Sequence, residues 1–370
     1  MKRLTVYCCG LLALLFSSVT TAECRWPQWE QFRQAYISAD GQVIDPHEGD
    51  PITTSEGQSY ALFFALAAND RDSFDRILTW TETHLANGDL TLHLPGWLWG
   101  RDAATGRETL LDDNSAADAD LWIAYSLLQA GKLWQSRTYQ VMGTLLLQRI
   151  AREETAEIPD LGPVLLPGKH GFASQTSWTV NPSYLPPPLL VSFAEQSSLW
   201  SRLHRTTIKL LIDTAPRGFS PDWIVWTSGA GWHFDETKGP IGSYNAIRVY
   251  LWAGMLEDGD PDKTPLLQAF MPMARYVEAH GAPPERVNVS HAAGDPLGNV
   301  GFSAALLPLL QPSPALSDQR QRVWNTPFSE QAYYRTVLTL FGTGWDSHFF
   351  RFSPHGDVIP AWKETCVTSR

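Results

Sequence analysis

The sequence is short of cysteine and of basic charge. Its 370 residues include four cysteines, and 28 lysine and arginine residues stand against 39 aspartate and glutamate residues. The formal net charge is −11 at pH 7 with histidine neutral. An acidic chain without a basic patch is a poor partner for nucleic acid, so the composition argues against a nucleic-acid-binding function.

A long apolar run is also lacking. An apolar stretch centred on residues 11–16 follows Lys2 and Arg3, and polar residues end it well before the roughly 20 apolar residues that span a membrane. The pattern predicts a signal peptide over residues 1–22 and a mature chain of residues 23–370, without a stable membrane anchor. We therefore expect a periplasmic or secreted protein.

Cleavage at this point would leave two cysteines, one near each end of the mature chain. In an oxidising compartment Cys24 and Cys366 could form a disulfide that ties the termini together. Two unpaired thiols are the alternative, and neither arrangement bears on chemistry.

Several catalytic motifs are missing. None of the ten histidines belongs to a His-Glu-x-x-His pair, which disfavours a zinc hydrolase. No Gly-x-Ser-x-Gly elbow supports a serine hydrolase, and no glycine-rich loop would hold phosphates. We expect neither a metal nor a cofactor.

Helical periodicity dominates what is present. It predicts about ten helices with no evident domain linker. The predicted helices cover residues 26–37, 57–68, 72–86, 136–152, 199–214, 244–256, 263–279, 302–310 and 330–341, with another over residues 121–134. Long loops at 159–188 and 221–239 separate some of them, which is typical of functional loops. The pattern favours one all-α domain with elaborated loops on one face.

The 16 tryptophans are dense for a soluble protein. Aromatic rings pack in cores, and they also stack on the apolar faces of sugars. Core packing is the default interpretation for each tryptophan, and the total only modestly favours a sugar-binding groove.

Three helix starts attract attention because two carry a carboxylate and the third carries an amide. They are residues 53–60 with Glu56, residues 114–120 with Asp118, and residues 243–248 with Asn245. A capping box would explain both carboxylates structurally, since Thr53 precedes Glu56 by three residues and Ser115 precedes Asp118 likewise. A general acid at such a position needs burial or a neighbouring charge to raise its pKa, because the helix dipole lowers it.

Taken together, these three segments resemble the signature of glycoside hydrolase family 8, and the likeness extends over nearly the whole chain. The resemblance implies an (α/α)6 barrel that hydrolyses internal β-1,4-glucosidic bonds of a cellulose-like glucan with inversion. Within the family, the chain is most similar to the branch encoded with bacterial cellulose synthase, so docking onto a cellulose synthase complex is one implied partnership. A monomer is expected.

The resemblance also implies residue roles. Glu56 would be the general acid, and Asp118 would bind and help distort the sugar at the cleavage site. Arg248 would orient the base region. The remaining implied substrate-binding residues are Tyr244, Trp97, Trp99 and Tyr184.

Two positions depart from the family pattern. Ala117 replaces a serine or threonine, and Asn245 replaces the aspartate that acts as general base. An amide can hold the attacking water but cannot accept its proton at neutral pH. Either another carboxylate takes over, or the protein is a weak hydrolase, or it binds glucan without cutting it. The nearby candidates for a relocated base are Asp222, Asp235 and Glu236.

The main alternative function is a non-catalytic glucan-binding protein of an export apparatus. It accounts for Asn245 directly but leaves Glu56 and Asp118 without a purpose. A different β-1,4-linked substrate, such as chitosan, xylan or mixed-linkage glucan, is a second alternative within the same family.

Overall fold

The computed structural model describes residues 25–364. The predicted signal peptide, Cys24 and Cys366 lie outside these residues, so the predictions about them stay untested. The described part of the chain contains thirteen α-helices and thirteen short strands. None of these helices is both long enough and apolar enough to cross a membrane.

Six of the helices form an inner ring and are buried around most of their circumference. They are α2 (Ser55–Ala67), α4 (Ala117–Leu133), α6 (Pro187–Ala194), α8 (Ile247–Met255), α10 (Val300–Leu306) and α12 (Tyr333–Asp346). Each packs on the next in chain order. Ring contacts of Phe341 on α12 with Phe63 and Phe64 on α2 close the ring.

Six further helices alternate with these along the chain and lie outside them. They are α1 (Pro27–Tyr36), α3 (Arg71–Leu85), α5 (Arg137–Glu153), α7 (Ser198–Asp213), α9 (Lys263–His280) and α11 (Leu316–Trp324). Each packs on an inner helix, and all but the largely polar α11 do so through an apolar face. The alternation of six outer and six inner helices confirms the predicted (α/α)6 barrel. A last short helix, α13 (Ala361–Glu364), ends the described chain.

Aromatic side chains fill the centre of the barrel. The rings of Phe63 and Trp122 lie 4.8 Å apart, and Trp122 lies 5.3 Å from Trp252 and from Phe341. These rings come from α2, α4, α8 and α12, so one cluster joins four inner helices. Much of the tryptophan content therefore serves packing, as the default interpretation expected.

The strands form small antiparallel sheets between the helices. One sheet joins β1 (Thr53–Thr54), β2 (Leu98–Arg101) and β3 (Glu108–Asp112), and another joins β6 (Ser177–Val180), β7 (Ile224–Thr227) and β8 (Gly231–His233). The remaining strands are β4 (Thr155–Ile158), β5 (Gly162–Leu165), β9 (Ile241–Gly242), β10 (Val287–Asn288), β11 (Ala293–Gly294), β12 (Phe350–Phe352) and β13 (Val358–Pro360). The two predicted long loops therefore carry short strands of their own.

Candidate active site

The starts of three inner helices bring the sequence-predicted residues together. Glu56 is the second residue of α2, and Asp118 is the second residue of α4. Asn245 lies in the turn just before α8, which begins at Ile247 and not at Tyr244 as the periodicity predicted. Arg248, in the first turn of α8, connects the three segments.

The guanidinium of Arg248 is the hub of the site. Its Nη1 donates to the Tyr60 hydroxyl at 2.6 Å and to Asp118 Oδ2 at 2.8 Å. Its Nη2 donates to Ser183 Oγ at 3.0 Å and to Asn245 Oδ1 at 2.9 Å. A planar fork with several donors can satisfy four acceptors at once, which a lysine cannot do.

Asp118 is almost fully buried, with an exposed fraction of 1%. Its Oδ2 accepts from Arg248, and its Oδ1 accepts from the Ala119 amide at 2.9 Å. Burial raises the pKa of this carboxyl, and the Arg248 charge opposes that shift. The opposing cation favours an ionised Asp118.

Glu56 has the environment of a proton donor. Burial raises the pKa of its carboxyl to about 8, and the charge of Asp118 adds to the effect. No partner among the described residues donates to its buried Oε2. A carboxyl in this setting keeps its proton at neutral pH, which is what a general acid requires. The effects of burial and of the Asp118 charge on the Glu56 pKa therefore outweigh that of the helix dipole.

Neither carboxylate belongs to a capping box. Helix α2 is capped by Thr54, whose hydroxyl accepts from the Gly57 amide at 3.0 Å, while the Thr53 hydroxyl donates to the Val43 carbonyl. Helix α4 has no side-chain cap at its Ala116 cap position. The structural alternative for Glu56 and Asp118 is therefore wrong, and the two acids are left for another purpose.

The turn that carries Asn245 is held by Asp222. Asp222 Oδ1 accepts from the backbone amides of Ser243 at 2.9 Å and Ala246 at 2.7 Å. Burial raises the pKa of this carboxyl, while those amides and the Arg248 charge oppose the shift. Of the three candidates for a relocated base, only Asp222 contacts the Asn245 turn. Asp235 instead accepts from Thr237 and Lys238 in its own exposed turn, and Glu236 is exposed beside it.

The predicted sugar-stacking residues fall at different distances from this cluster. The Tyr184 ring lies under Arg248, with 5.6 Å between the guanidinium carbon and the ring centroid. Burial, followed by the charges of Asp118 and Glu56, raises the Tyr184 pKa well above its usual value. Tyr184 therefore lies in the site itself.

The other three predicted residues frame the site. The Trp97 carbonyl accepts from the Ser55 amide at 3.0 Å, and its amide donates to the Asn114 carbonyl at 2.8 Å, so Trp97 joins the starts of two inner helices. Trp99 packs edge-on against Trp80 and His84 of α3. Tyr244 is 44% exposed, and its ring contacts Phe302.

Sequence reasoning missed several residues of the cluster. Tyr60 ends the segment 53–60, and its hydroxyl accepts from Arg248, a contact that no local pattern predicts. Ser183 and Tyr334 come from distant segments without a recognisable pattern. Burial raises the pKa of Tyr334 to about 12, with smaller effects from Asp118 and Glu56, and its hydroxyl donates to the Tyr244 carbonyl at 2.5 Å.

A second acidic pair lies behind Asp118. Asp120 and Glu154 are both fully buried, and the charge of Glu154 is the next cause, after burial, that raises the pKa of Asp120. Glu154 also accepts from the Ser115 hydroxyl at 2.5 Å. No donor of another described residue reaches Asp120, and burial beside a second carboxyl raises its pKa well above the usual value, which favours a protonated carboxyl in this pair. Asp120 is thus a buried partner of Glu154 and more than a second acid in the first turn of the helix.

Comparison with known proteins agrees with this geometry. The sequence model described as "Glycosyl hydrolases family 8" matches residues 1–348. The chain is 52% identical to an endoglucanase of Salmonella typhi and 51% identical to one of Escherichia coli (strain K12), each over 97% of both chains. This chain belongs to glycosyl hydrolase family 8.

Solved structures give the same result. The crystal structure of endo-1,4-D-glucanase from Vibrio fischeri ES114 is 47% identical and superposes with a TM-score of 0.88, covering 92% of this chain and 100% of that one. An endoglucanase from Komagataeibacter sucrofermentans is 26% identical with a TM-score of 0.73, covering 87% and 97%. The chain therefore has the (α/α)6 barrel of family 8, with the starts of three inner helices gathered around Arg248. Asn245 lies within this cluster.

Proposed function

We propose that this chain is an endo-β-1,4-glucanase that cleaves internal bonds of a cellulose-like glucan with inversion. The observation that carries the proposal is Glu56, a buried carboxyl with a pKa of about 8, close to an Asp118 held by Arg248. The names of the relatives, endoglucanases at about half identity over nearly the full chain, support the same reaction.

In the proposed reaction, Glu56 gives its proton to the glycosidic oxygen while the bond from that oxygen to the anomeric carbon breaks. Asp118 contacts the sugar at the cleavage point and stabilises the positive charge that develops on its ring. Tyr184 contributes an aromatic face beside Arg248. A water molecule attacks the anomeric carbon from the opposite side, which inverts its configuration.

The proton of that water needs an acceptor, and Asn245 cannot be it. The Asn245 carbonyl oxygen already accepts from Arg248, and its amide nitrogen can only donate. We propose that Asn245 orients the water and that Asp222, whose carboxylate holds the same turn, takes the proton. Exchange with solvent then returns Glu56 and Asp222 to their starting states.

The test is the release of reducing ends from carboxymethyl cellulose by the protein and by Glu56→Gln. We expect a ~10²–10⁴-fold loss for the variant. On an aryl cellooligosaccharide with a good leaving group, the variant should lose far less activity, because that leaving group departs without needing a proton. The half-buried Glu82, away from the cluster, gives the control Glu82→Gln, which should stay active. If Glu56→Gln lost activity by the same factor on both substrates, the assignment of Glu56 as general acid would be overturned.

Glucan binding with little or no turnover is the second candidate, and Asn245 is the observation that favours it. The substitution Asn245→Asp distinguishes an active endoglucanase from a glucan-binding protein. A nearly silent protein that gains cutting from this change is a binder that has lost its base, whereas a protein that already cuts well is an enzyme.

The substrate, location and partners of the proposed enzyme follow from the same resemblance. We propose a periplasmic or secreted monomer that acts on β-1,4-glucan in connection with cellulose synthesis and export. Comparing turnover on soluble cellulose, chitosan, xylan and mixed-linkage glucan tests the substrate. Cell fractionation of the full chain tests the location.

A further inference from the structure

A groove of about 710 Å³ lies on the outer wall of the barrel, where the ring of outer helices closes. Helices α1 and α11 flank it, and α12 contributes to its wall. Its volume is in the range that small-molecule and oligosaccharide sites occupy. None of the residues to which we give a role in the reaction lines it.

Trp324, the last residue of α11, lines this groove and is unusual among the tryptophans. All sixteen lie within residues 25–364, and Trp324 alone is exposed, at 58%. No other aromatic ring of the described residues packs against it. An indole left in solvent presents a flat apolar face, which suits the apolar face of a pyranose ring.

Two rows of uncharged polar side chains line the groove. Gln28, Gln31 and Gln34 are spaced three residues apart on α1, and Thr336, Thr339 and Thr343 are spaced three and four apart on α12. Residues at these spacings share a helix face. The glutamine row therefore presents amides to the groove, whereas the three threonine hydroxyls already donate to backbone carbonyls four residues before them and can only accept from a ligand.

The glutamine row has unused hydrogen-bonding capacity. Gln28 Oε1 is buried without a partner, and no described residue bonds the exposed amides of Gln31 and Gln34. A buried acceptor of this kind is costly unless a donor reaches it. The hydroxyl groups of a sugar are such donors.

The groove lies close to the acid side of the candidate active site. Phe328 lines the groove and packs on Tyr36, with 6.0 Å between ring centroids. Tyr36 packs edge-on against Tyr333 at 5.1 Å, and a Cβ on Gly57 would lie 2.7 Å from the Tyr333 hydroxyl. Gly57 directly follows Glu56, so two aromatic rings separate the groove from the start of α2.

We propose that this groove is a second binding site for β-glucan, separate from the cleavage site, with Trp324 as its stacking platform and the amides of α1 as its hydrogen-bonding partners. The choice of ligand rests on the proposed function, because the polymer that the enzyme cuts is the uncharged polyhydroxyl chain it meets. A second binding site for the polymer near the acid side of the cleft would raise the effective concentration of substrate at the cleavage site.

The test is retention of the protein in native gels that contain hydroxyethyl cellulose. It is done in the Glu56→Gln background so that the polymer stays intact. We expect Trp324→Ala to weaken retention roughly fivefold. Leu92→Ala is the matched control, because Leu92 is also 58% exposed but lies elsewhere on the surface. Trp324→Phe should retain part of the binding.

A second measurement separates this site from the cleft. In the active protein, Trp324→Ala should leave kcat/KM on a short soluble cellooligosaccharide unchanged and lower the rate on the polymer at low concentration. Retention that is the same with and without Trp324 would overturn the proposal, and so would an equal loss on the short substrate. The gel assay does not need turnover, so it remains decisive even if the protein proves to be a non-cutting binder.

Discussion

The guanidinium of Arg248 donates to the Asp118 carboxylate at 2.8 Å across 130 residues of chain. Both side chains are nearly fully buried, with exposed side-chain fractions of 7% and 1%. A buried ion pair is favourable only when its remaining donors and acceptors are satisfied. Tyr60, Ser183 and Asn245 supply further acceptors for the two Nη atoms of Arg248, while its buried Nε has no partner among the described residues.

This network predicts different results for two substitutions of Arg248. Arg248→Met leaves Asp118 buried without a cation, and we expect it to lower the free energy of unfolding by ~3–5 kcal/mol. Arg248→Lys keeps the charge and should cost less stability, yet kcat should still fall ~10²-fold because one ammonium cannot hold four acceptors in place. Urea unfolding and turnover of soluble cellulose measure the two effects. Normal turnover of Arg248→Lys would show that the fork geometry is unimportant.

The pKa of Glu56 predicts the alkaline limit of activity. The acid works only while it holds its proton, so kcat/KM should fall as the pH rises through about 8. The charge of Asp118 is the second cause of the raised pKa, after burial. Asp118→Asn should therefore move the alkaline limb to lower pH, whatever it does to the maximal rate.

The check is a pH profile of kcat/KM on a soluble cellooligosaccharide. Glu82→Gln serves as the control, since burial raises the pKa of Glu82 outside the cluster. Its profile should match that of the unmodified protein. An alkaline limb that stays in place in Asp118→Asn would mean that another group sets it.

Local signals in the sequence predicted one all-α domain, and the resemblance of three short motifs to family 8 implied the barrel and the central residues of the site. Helices α2, α4 and α8 are apolar over most of their length, and the motifs around Glu56, Asp118 and Arg248 lie at helix starts. The fold prediction is confirmed. The structure gathers these residues into one cluster, while their roles stay predictions.

Other features depend on contacts between distant segments, so no local pattern announced them. Helix α6 begins with Pro187 and Pro188, which read as loop residues, and α11 is too polar over most of its length to show an apolar face. The start of α8 is displaced because Asp222, more than twenty residues upstream, holds the preceding turn. Ser183 and Tyr334 reach the site only through the closed ring.

Asp222 and Asn245 form a pair whose variants should compensate. Asp222→Asn keeps an oxygen that can accept from the Ser243 and Ala246 amides, so the turn should survive. It removes the proposed base, and we expect a ~10²–10⁴-fold loss of kcat. Adding Asn245→Asp in the same chain should restore most of that loss.

Two measurements protect this prediction from a folding artefact. Thermal unfolding shows whether the turn persists, and azide, a small nucleophile that needs no base, should partly rescue Asp222→Asn. The relocation of the base to Asp222 is wrong if the single variant keeps full turnover. Loss of turnover without rescue by azide or by Asn245→Asp would make Asp222 a residue that only holds the turn.

The buried pair of Asp120 and Glu154 predicts a pH dependence of stability. Burial raises the pKa of Glu154 to about 8 in the folded protein, from an ordinary value of 4.5. Between these pH values the folded state holds a proton that the unfolded state has released, so stability falls as the pH rises. Glu154→Gln cannot titrate, and its amide can still accept from Ser115 and donate to Asp120. We therefore expect Tm to fall less steeply with pH in Glu154→Gln than in the unmodified protein.

Glu157→Gln, at an exposed glutamate paired with Arg202, is the control and should keep the original slope. Identical slopes in all three proteins would mean that the acidic pair does not hold an extra proton in the folded state.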